Sequence, residues 1–293
     1  MHKTNAQIGL VHASLPPPAS YQQPDFELPA LACCTHSHVI PDGGYTLVAN
    51  ASYLPAAAPE PRYMEMLDAL SLARGVLVQV SIFGTDNSAM LATLARHPQR
   101  LRGVAVVGPD IGDEELLSMH RLGVRGLRFN LMLGGGVGLE AMARLAPRLA
   151  RMGWHAELLV DGTLLPELAP ALESVPCALV LDHMGCLPAE MELDHLAVRA
   201  LRRFVQGDDR WVNVSGAYRL AKDIDDPRLA ARVRALASDA PERIIWGTDW
   251  PHVACADMPD AGGLLNLVAR WLPDPVLQRK VLADNPGRLY QFG

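Results

Sequence analysis

The sequence predicts a single (β/α)₈ barrel, and three observations lead to this fold class. From residue 31 onward, eight short apolar segments alternate with amphipathic helical segments, which is typical of parallel strands joined by helices. No change of composition divides the 293 residues into separate units. Six of the eight apolar segments end in polar side chains, as barrel strands do where they form an active site. A doubly wound open sheet is the alternative topology.

The predicted strands combine apolar bodies with flanking glycine or polar residues. In chain order they are residues 31–38, 75–81, 103–108, 126–130, 155–160, 178–182, 211–215 and 243–248. The clearest helix between them spans residues 139–152, with Gly153 placed to end it and Pro147 expected to kink or split it. Acidic residues from Asp113 onward predict another helix start, and Pro286 predicts a short terminal helix over residues 287–291.

Composition excludes several classes of function. The chain is 49% apolar and 20% charged, carries a net charge of −6 and has no block of basic residues, so we expect neither nucleic acid nor a membrane as a partner. Five cysteines without paired spacing indicate a reducing compartment, and no signal-peptide pattern precedes them, so the predicted location is cytoplasmic. Residues 1–31 are predicted to form an arm over the bottom of the barrel or a neighbouring subunit, and residues 32–293 the barrel. The oligomeric state is not predicted.

Two distant motifs supply the candidate catalytic residues. His36 and His38 follow an apolar strand entry, and alternate residues of a strand face the same side. Asp249 follows the last predicted strand. With His183, these residues suit either a zinc or manganese site or a metal-free hydrolase in which Asp249 deprotonates water and the imidazoles stabilise an oxyanion.

The choice of His183 rests on strand alternation. Asp182 and His183 are adjacent, so only one of them is expected to enter the barrel. We assign His183 to the site and Asp182 to a supporting position. His252 lies three residues beyond Asp249. It could contact the substrate or support the site, or it could be a plain surface residue, and the sequence favours neither alternative.

Substrate contacts are predicted at other strand ends. Arg128 and Asn130 share one face of the fourth strand, where a guanidinium could pair with a substrate carboxylate or instead form a salt bridge within the rim. Arg219 is a second anion-binding candidate. The full predicted set of substrate contacts is Arg128, Asn130, Ser81, Arg219, Tyr53 and His252.

From about residue 32 to residue 290 the chain resembles the amidohydrolase superfamily, in the branch of the 2-pyrone-4,6-dicarboxylate lactonases. Its matching motifs include Thr-His-Ser-His38, Gly123-Val-Arg-Gly-Leu-Arg-Phe-Asn130, Leu181-Asp-His-Met-Gly185 and Trp246-Gly-Thr-Asp-Trp-Pro-His252. The resemblance implies a distorted barrel, hydrolysis of a lactone ester, and a centre of His36, His38, His183 and Asp249 with Asp249 as general base.

The resemblance also bears on metal and substrate. The resemblance implies an enzyme that works without a tightly held metal. In agreement, the fourth strand ends without a lysine that could bridge two metal ions. We therefore expect either no cofactor or a weakly held zinc on the same four residues. Basic residues and a tyrosine expected for a dicarboxylate are replaced by residues 131–134, Cys186 and Leu159. The sequence therefore predicts a lactone with one carboxylate, or a more apolar one, held by Arg128 and Arg219.

Three other functions remain as alternatives. A lactone isomerase of the same branch needs the same centre, and product analysis separates it from a hydrolase. A metal-dependent non-oxidative decarboxylase also begins with His-x-His, but it should hold stoichiometric zinc. The non-enzymatic alternative is a barrel that only binds a ligand. The complete set of candidate catalytic side chains argues against this alternative.

Overall fold

The computed structural model describes residues 12–132, 137–255 and 257–293, and eight parallel strands within them form one barrel. The strands are β1 Cys33–Ser37, β2 Arg74–Val78, β3 Leu101–Ala105, β4 Val124–Asn130, β5 His155–Leu159, β6 Ala178–Leu181, β7 Arg210–Asn213 and β8 Ile244–Ile245. Each strand pairs with the next one in chain order. This order confirms the predicted barrel, and the doubly wound alternative is wrong.

The barrel closes between β1 and the segment that follows β8. The Thr35 amide donates to the Trp246 carbonyl (3.0 Å), and the His38 amide donates to the Trp250 carbonyl (2.7 Å). Gly247 lies where these chains approach most closely, since a Cβ there would lie 2.4 Å from the His36 nitrogen. The predicted eighth strand is longer than the observed one because its second half turns away to make this closure.

Eleven helices occur among the described residues. They are α1 Glu60–Ala69, α2 Ser88–Arg96, α3 Asp113–Arg121, α4 Leu139–Met152, α5 Leu165–Glu173, α6 Leu196–Val205, α7 Ala217–Leu220, α8 Pro227–Asp239, α9 Ala261–Trp271, α10 Pro275–Arg279 and α11 Asn285–Leu289.

The predicted helices are confirmed in position, with two corrections. Helix α3 begins at Asp113 and α4 ends at Met152 before a left-handed Gly153, as the sequence indicates. Pro147 lies inside α4 without splitting it. The terminal helix starts two residues before the predicted 287 because Pro286 occupies its first turn rather than preceding it, a position that needs no backbone N–H.

Buried apolar side chains form two clusters. The larger one packs the strands against the helices. The smaller one gathers side chains from six strands together with Leu289 and Tyr290, which places it inside the barrel. The C-terminal segment therefore closes the N-terminal end of the barrel, and the opposite end is left for a site.

Part of the predicted arm contacts the same chain near that opposite end. His12–Ala13 pairs with Tyr53–Leu54, and the Trp250 indole donates to the Tyr21 hydroxyl (2.9 Å). Residues 1–11 lie outside the described residues, and an arm boundary at residue 31 stays a prediction. No described helix has both the length and the apolar character needed to cross a membrane.

Candidate active site

A cavity of about 290 Å³ opens at the C-terminal ends of the strands. Its described lining consists of His38, Tyr53, Ser81, Arg128, Met132, Leu159, His183, Cys186, Arg219, Leu220, Asp249, Val253 and Ala254. Seven of these are residues that the sequence predicts for the site. His36 lies beneath the floor and is fully buried, while Asn130 and His252 support the wall without lining it among the described residues.

The floor of the cavity brings His36, His38 and Asp249 together. The His38 Nε2 lies 3.6 Å and the His36 Nε2 3.8 Å from the Asp249 Oδ1. The two rings meet edge to face with centroids 5.2 Å apart. These separations exceed the length of a direct hydrogen bond.

The backbone of Asp249 is held in the left-handed region. Its φ is 62°, a conformation that costs a non-glycine residue about 1–2 kcal/mol. The Asp249 amide donates to the His36 carbonyl (2.9 Å), so the closure of the barrel fixes the conformation that turns this carboxylate towards the histidines. A strained backbone at a cavity floor is typical of a functional position.

Two donors hold the other oxygen of Asp249. The Tyr218 hydroxyl donates to Oδ2 (2.6 Å), and the Arg219 Nε donates to the same atom (2.7 Å). Burial opposes ionisation of Asp249, but the Arg219 charge outweighs it, followed by His183, and holds the pKa of Asp249 well below its usual range. The sequence analysis did not identify Tyr218. The signal that could have found it is its position next to Arg219, a predicted site residue.

His183 enters the cavity from a left-handed turn after β6. The φ values of His183, Met184 and Cys186 lie between 50° and 54°. The His183 Nδ1 hydrogen-bonds to the Ser215 hydroxyl (2.8 Å), and its Nε2 lies 3.8 Å from the Asp249 Oδ2. Burial lowers the pKa of His183 well below its ordinary value.

The ring of His36 is fixed by two buried acids. Its Nδ1 lies 3.2 Å from the Asp182 Oδ1 and 3.3 Å from the Glu157 Oε1, and all three side chains are fully buried. Burial alone would lower the pKa of His36, but Asp182 and then Glu157 raise it to about 10. Burial and the Glu157 charge raise the pKa of Asp182 to about 6. Glu157 lies within an apolar strand, and sequence reasoning missed it.

His38 presents a lone pair to the site. Its Nδ1 lies 2.8 Å from the Val78 carbonyl, which can only accept, so Nδ1 carries the proton. Burial lowers the pKa of His38, which favours the neutral ring. The Nε2 facing Asp249 is therefore an acceptor.

The predicted anion-binding arginines both have protein partners. The Arg128 Nη1 donates to the Gln79 carbonyl (3.1 Å), and its Nη2 lies 3.7 Å from the Asp182 Oδ2. Both Arg128 and Arg219 line the cavity, the side chain of Arg219 being 28% exposed. Asn130 donates to the Ser81 hydroxyl (2.8 Å) and accepts from the Met132 amide (3.0 Å), which orders the rim.

Tyr53 and His252 occupy different positions. Tyr53 is buried and lines the cavity. His252 is fully buried, so the surface alternative is wrong. Its Nε2 bonds to the Thr248 carbonyl (3.1 Å), and its ring meets Tyr218 edge to face with centroids 5.3 Å apart. Burial lowers the pKa of His252 to about 4.

The donor set fits a divalent metal. His36, His38 and Asp249 each direct one ligand atom to within 4.8 Å of the others, and His36, Asp182 and His183 form a second such group. The His38 Nδ1 is hydrogen-bonded to a backbone carbonyl, the usual way of orienting a metal-binding imidazole, and the His36 Nδ1 faces two buried carboxylates. Nitrogen and carboxylate ligands of this kind suit zinc.

A parallel barrel with a His-x-His pair on its first strand and an acid after its last defines an amidohydrolase-type enzyme fold. The chain belongs to the amidohydrolase family, whose model matches residues 33–292.

Its relatives include named lactone enzymes. The chain is 34% identical to the 2-pyrone-4,6-dicarboxylate hydrolase of Comamonas testosteroni, over 93% of this chain and 94% of the relative. It is 32% identical to the 4-sulfomuconolactone hydrolase of Rhizobium radiobacter (95% and 97% covered) and 27% identical to the D-galactarolactone isomerase of Agrobacterium fabrum (92% and 94%). A crystal structure from Pseudomonas putida, assigned as a 2-pyrone-4,6-dicarboxylic acid hydrolase, matches with a TM-score of 0.79 at 32% identity (90% and 99%).

Proposed function

We propose that this protein is a hydrolase that opens the ester of a carboxylate-bearing lactone. The observation that carries the proposal is the meeting of the Asp249 Oδ1 with the Nε2 atoms of His36 and His38 at the floor of an open cavity. The relatives named as lactone hydrolases, at 34% and 32% identity over nearly the whole chain, support the same reaction.

The reaction begins with Asp249 taking a proton from water. The water oxygen bonds to the lactone carbonyl carbon, and the carbonyl oxygen becomes an oxyanion. When the carbonyl re-forms, the bond from this carbon to the ring oxygen breaks, and the ring oxygen takes the proton that Asp249 holds. The product carries one new carboxyl group and one hydroxyl group, and Asp249 is ionised again.

The three imidazoles divide the remaining work. His36, with acids on its Nδ1 side, keeps a proton on Nε2 and, from beneath the cavity floor, stabilises the negative charge of the Asp249 carboxylate, whose Oδ1 lies 3.8 Å away. His38 accepts a hydrogen bond from the attacking water at its unprotonated Nε2 and so orients it. His183, fixed by Ser215, faces the substrate from the opposite side of Asp249.

The cavity favours a substrate with one carboxylate. Arg128 and Arg219 are the two cavity-lining arginines of the described chain, and each also serves a protein acid. Leu159, Cys186 and Leu220 form much of the remaining wall. A second carboxylate would be desolvated there without a cationic partner, which is costly. A monocarboxylate lactone, or one with an apolar substituent, fits this lining better than a dicarboxylate, with Ser81 and Tyr53 as further contacts.

We propose that any metal in this site is weakly held. His36, His38, His183 and Asp249 would hold zinc, which when bound polarises the lactone carbonyl as a Lewis acid. A bound ion would occupy the lone pairs of the His36 and His38 Nε2 atoms, so the proton and hydrogen-bond roles given above are those of the metal-free site. We also propose a cytoplasmic location, supported by five free cysteines.

The second candidate is a lactone isomerase. The 27% identity to the D-galactarolactone isomerase of Agrobacterium fabrum favours it, because a centre that opens a lactone can also close it onto another hydroxyl. Nuclear magnetic resonance of the product separates the two, since an isomerase yields a second lactone and a hydrolase an open hydroxy acid.

The first experiment follows the ultraviolet absorbance of 2-pyrone-6-carboxylate and 2-pyrone-4,6-dicarboxylate incubated with purified protein, with and without a chelator. We expect opening of the monocarboxylate with the higher kcat/KM and activity that survives the chelator. Efficient turnover of the dicarboxylate contradicts the substrate assignment alone. Loss of lactone opening with the chelator, together with stoichiometric zinc, contradicts weak metal binding. Stoichiometric zinc without lactone opening favours the metal-dependent decarboxylase alternative. No turnover of any lactone in a wider panel contradicts the proposed function.

A further inference from the structure

We propose that Tyr218 is a positioning residue that, together with Arg219, occupies Oδ2 of Asp249 and so makes Oδ1 the oxygen that receives the proton from water. The inference rests on the proposed function, in which Asp249 is the general base. It assigns a role to a residue that touches Asp249 and, among the described lining residues, does not border the cavity.

The two oxygens of Asp249 have different surroundings. Oδ2 accepts from the Tyr218 hydroxyl (2.6 Å) and from the Arg219 Nε (2.7 Å). A carboxylate oxygen has about two lone-pair directions, so these two donors fill it. Oδ1 faces the Nε2 atoms of His38 and His36 at 3.6 Å and 3.8 Å. The water that must lose its proton therefore fits against Oδ1.

Tyr218 is held independently of any substrate. Helix α7 starts after Gly216, whose φ is +73° and where a Cβ would lie 2.9 Å from the His183 Nδ1. The Tyr218 ring packs edge-on against His252, with centroids 5.3 Å apart, and His252 is tied to the Thr248 carbonyl. This support aims the hydroxyl at Asp249 and gives the buried His252 a structural purpose.

Arg219 alone cannot supply this constraint. Its side chain is 28% exposed and lines the cavity, so a substrate carboxylate competes with Asp249 for the guanidinium. Tyr218 is not among the described residues that line the cavity, so its hydroxyl meets no such competition. It keeps Oδ2 fixed when Arg219 turns towards an anionic substrate, which is the moment when the carboxylate must not rotate.

The test is Tyr218→Phe, which removes one hydroxyl and keeps the ring against His252. We expect kcat on the monocarboxylate lactone to fall about 10- to 100-fold, the usual range for a lost hydrogen bond to a charged group, with KM within about twofold of the original value. Arg219→Lys should raise KM as well as lower kcat, because Arg219 also meets the substrate. Tyr45→Phe is the matched control, since the Tyr45 ring packs on Phe83. This variant should keep the kcat of the original protein.

A crystal structure of Tyr218→Phe separates this inference from the proposed function. We expect the Asp249 carboxylate to rotate or to occupy two orientations. An unmoved carboxylate, or a kcat within about twofold of the original, overturns the role of Tyr218. If the original protein opens no lactone, the proposed function fails, and the orientation of Asp249 in the variant crystal alone decides the positioning role.

Discussion

The two ends of the barrel use charged side chains in opposite ways. At the C-terminal end, Asp249 lies in an open cavity, and the Nε2 atoms of His36, His38 and His183 lie 3.6 to 3.8 Å from its carboxylate oxygens, too far for direct hydrogen bonds. At the N-terminal end, Arg74 and Arg102 stack on the Phe292 ring, 4.9 Å and 4.6 Å from its centroid, and also donate to backbone carbonyls of the last residues.

Left-handed backbone occurs at both ends and does not distinguish them. Positive φ values are found at His183 and Asp249 at the C-terminal end, and at Asp209 and Gln291 near the N-terminal end. The difference lies in the side chains: those at the C-terminal end line a cavity, and those at the N-terminal end contact the last residues of the chain. The comparison teaches that one end of this barrel is arranged for chemistry and the other for stability, so substitutions at the two ends should affect different measurements.

The largest effect on activity is expected for Asp249→Asn. The amide cannot take a proton from water, so kcat should fall about 10²- to 10⁴-fold while the fold is retained. Steady-state kinetics and circular dichroism measure the two properties. Turnover near the original rate would show that another group is the base.

Gly247→Ala should lower both kcat and the free energy of unfolding, because Gly247 lies where the barrel closes beneath the site. A Cβ there would lie 2.4 Å from the His36 nitrogen and 2.7 Å from its Cβ, so the backbone must shift. We expect a loss of about 2–3 kcal/mol in the free energy of unfolding and a clear fall in kcat. Gly108→Ala, with open space around its Cβ, is the control. Equal stability of the two variants would contradict the tight closure.

Phe292→Ala should change stability alone. Removing the ring takes away the contact with Arg74 and Arg102, which we expect to cost about 1–2 kcal/mol in the free energy of unfolding. Urea denaturation measures this loss, and kcat per folded molecule should be unchanged. Phe292→Leu, which keeps apolar contact without a π face, distinguishes stacking from burial. A fall in kcat for either variant would show that the two ends are coupled.

The smallest effect is expected at a helix surface outside both ends. Burial raises the pKa of Glu60, but Arg96 and His97 together outweigh it and lower the pKa below its ordinary value. The folded protein therefore gains stability from this carboxylate above its unfolded pKa and loses that gain as the pH falls through the lowered folded pKa. At neutral pH the gain is about 0.5 kcal/mol for such a partly exposed group.

Glu60→Gln removes this gain in stability. The free energy of unfolding of the variant should therefore depend less on pH between about pH 5 and pH 3. Thermal unfolding across that range checks it, with Glu65→Gln on the same helix as the control. Identical pH dependence in Glu60→Gln and the original protein would contradict the assignment.

Much of the fold was readable from local patterns. All eight strands lie where apolar segments predict them, because burial on both faces of a barrel strand leaves a direct imprint on the sequence. The pairing of His36 with His38 follows from the two-residue period of a strand. The end of the eighth strand was predicted less well, since residues 246–250 take their course from contact with β1.

The sequence by itself determined the barrel, the end at which the cavity opens, and the residue types gathered there, because these depend on periodicity and on strand ends. Only the tertiary structure decided which oxygen of Asp249 is held, that Tyr218 holds it, and that Glu157 lies beside His36. Glu157 and His36 are 121 positions apart, and Tyr218 and Asp249 are 31 apart. Such contacts are fixed by the closure of the barrel and by left-handed backbone at a few residues, and neither leaves a periodic signal in the chain.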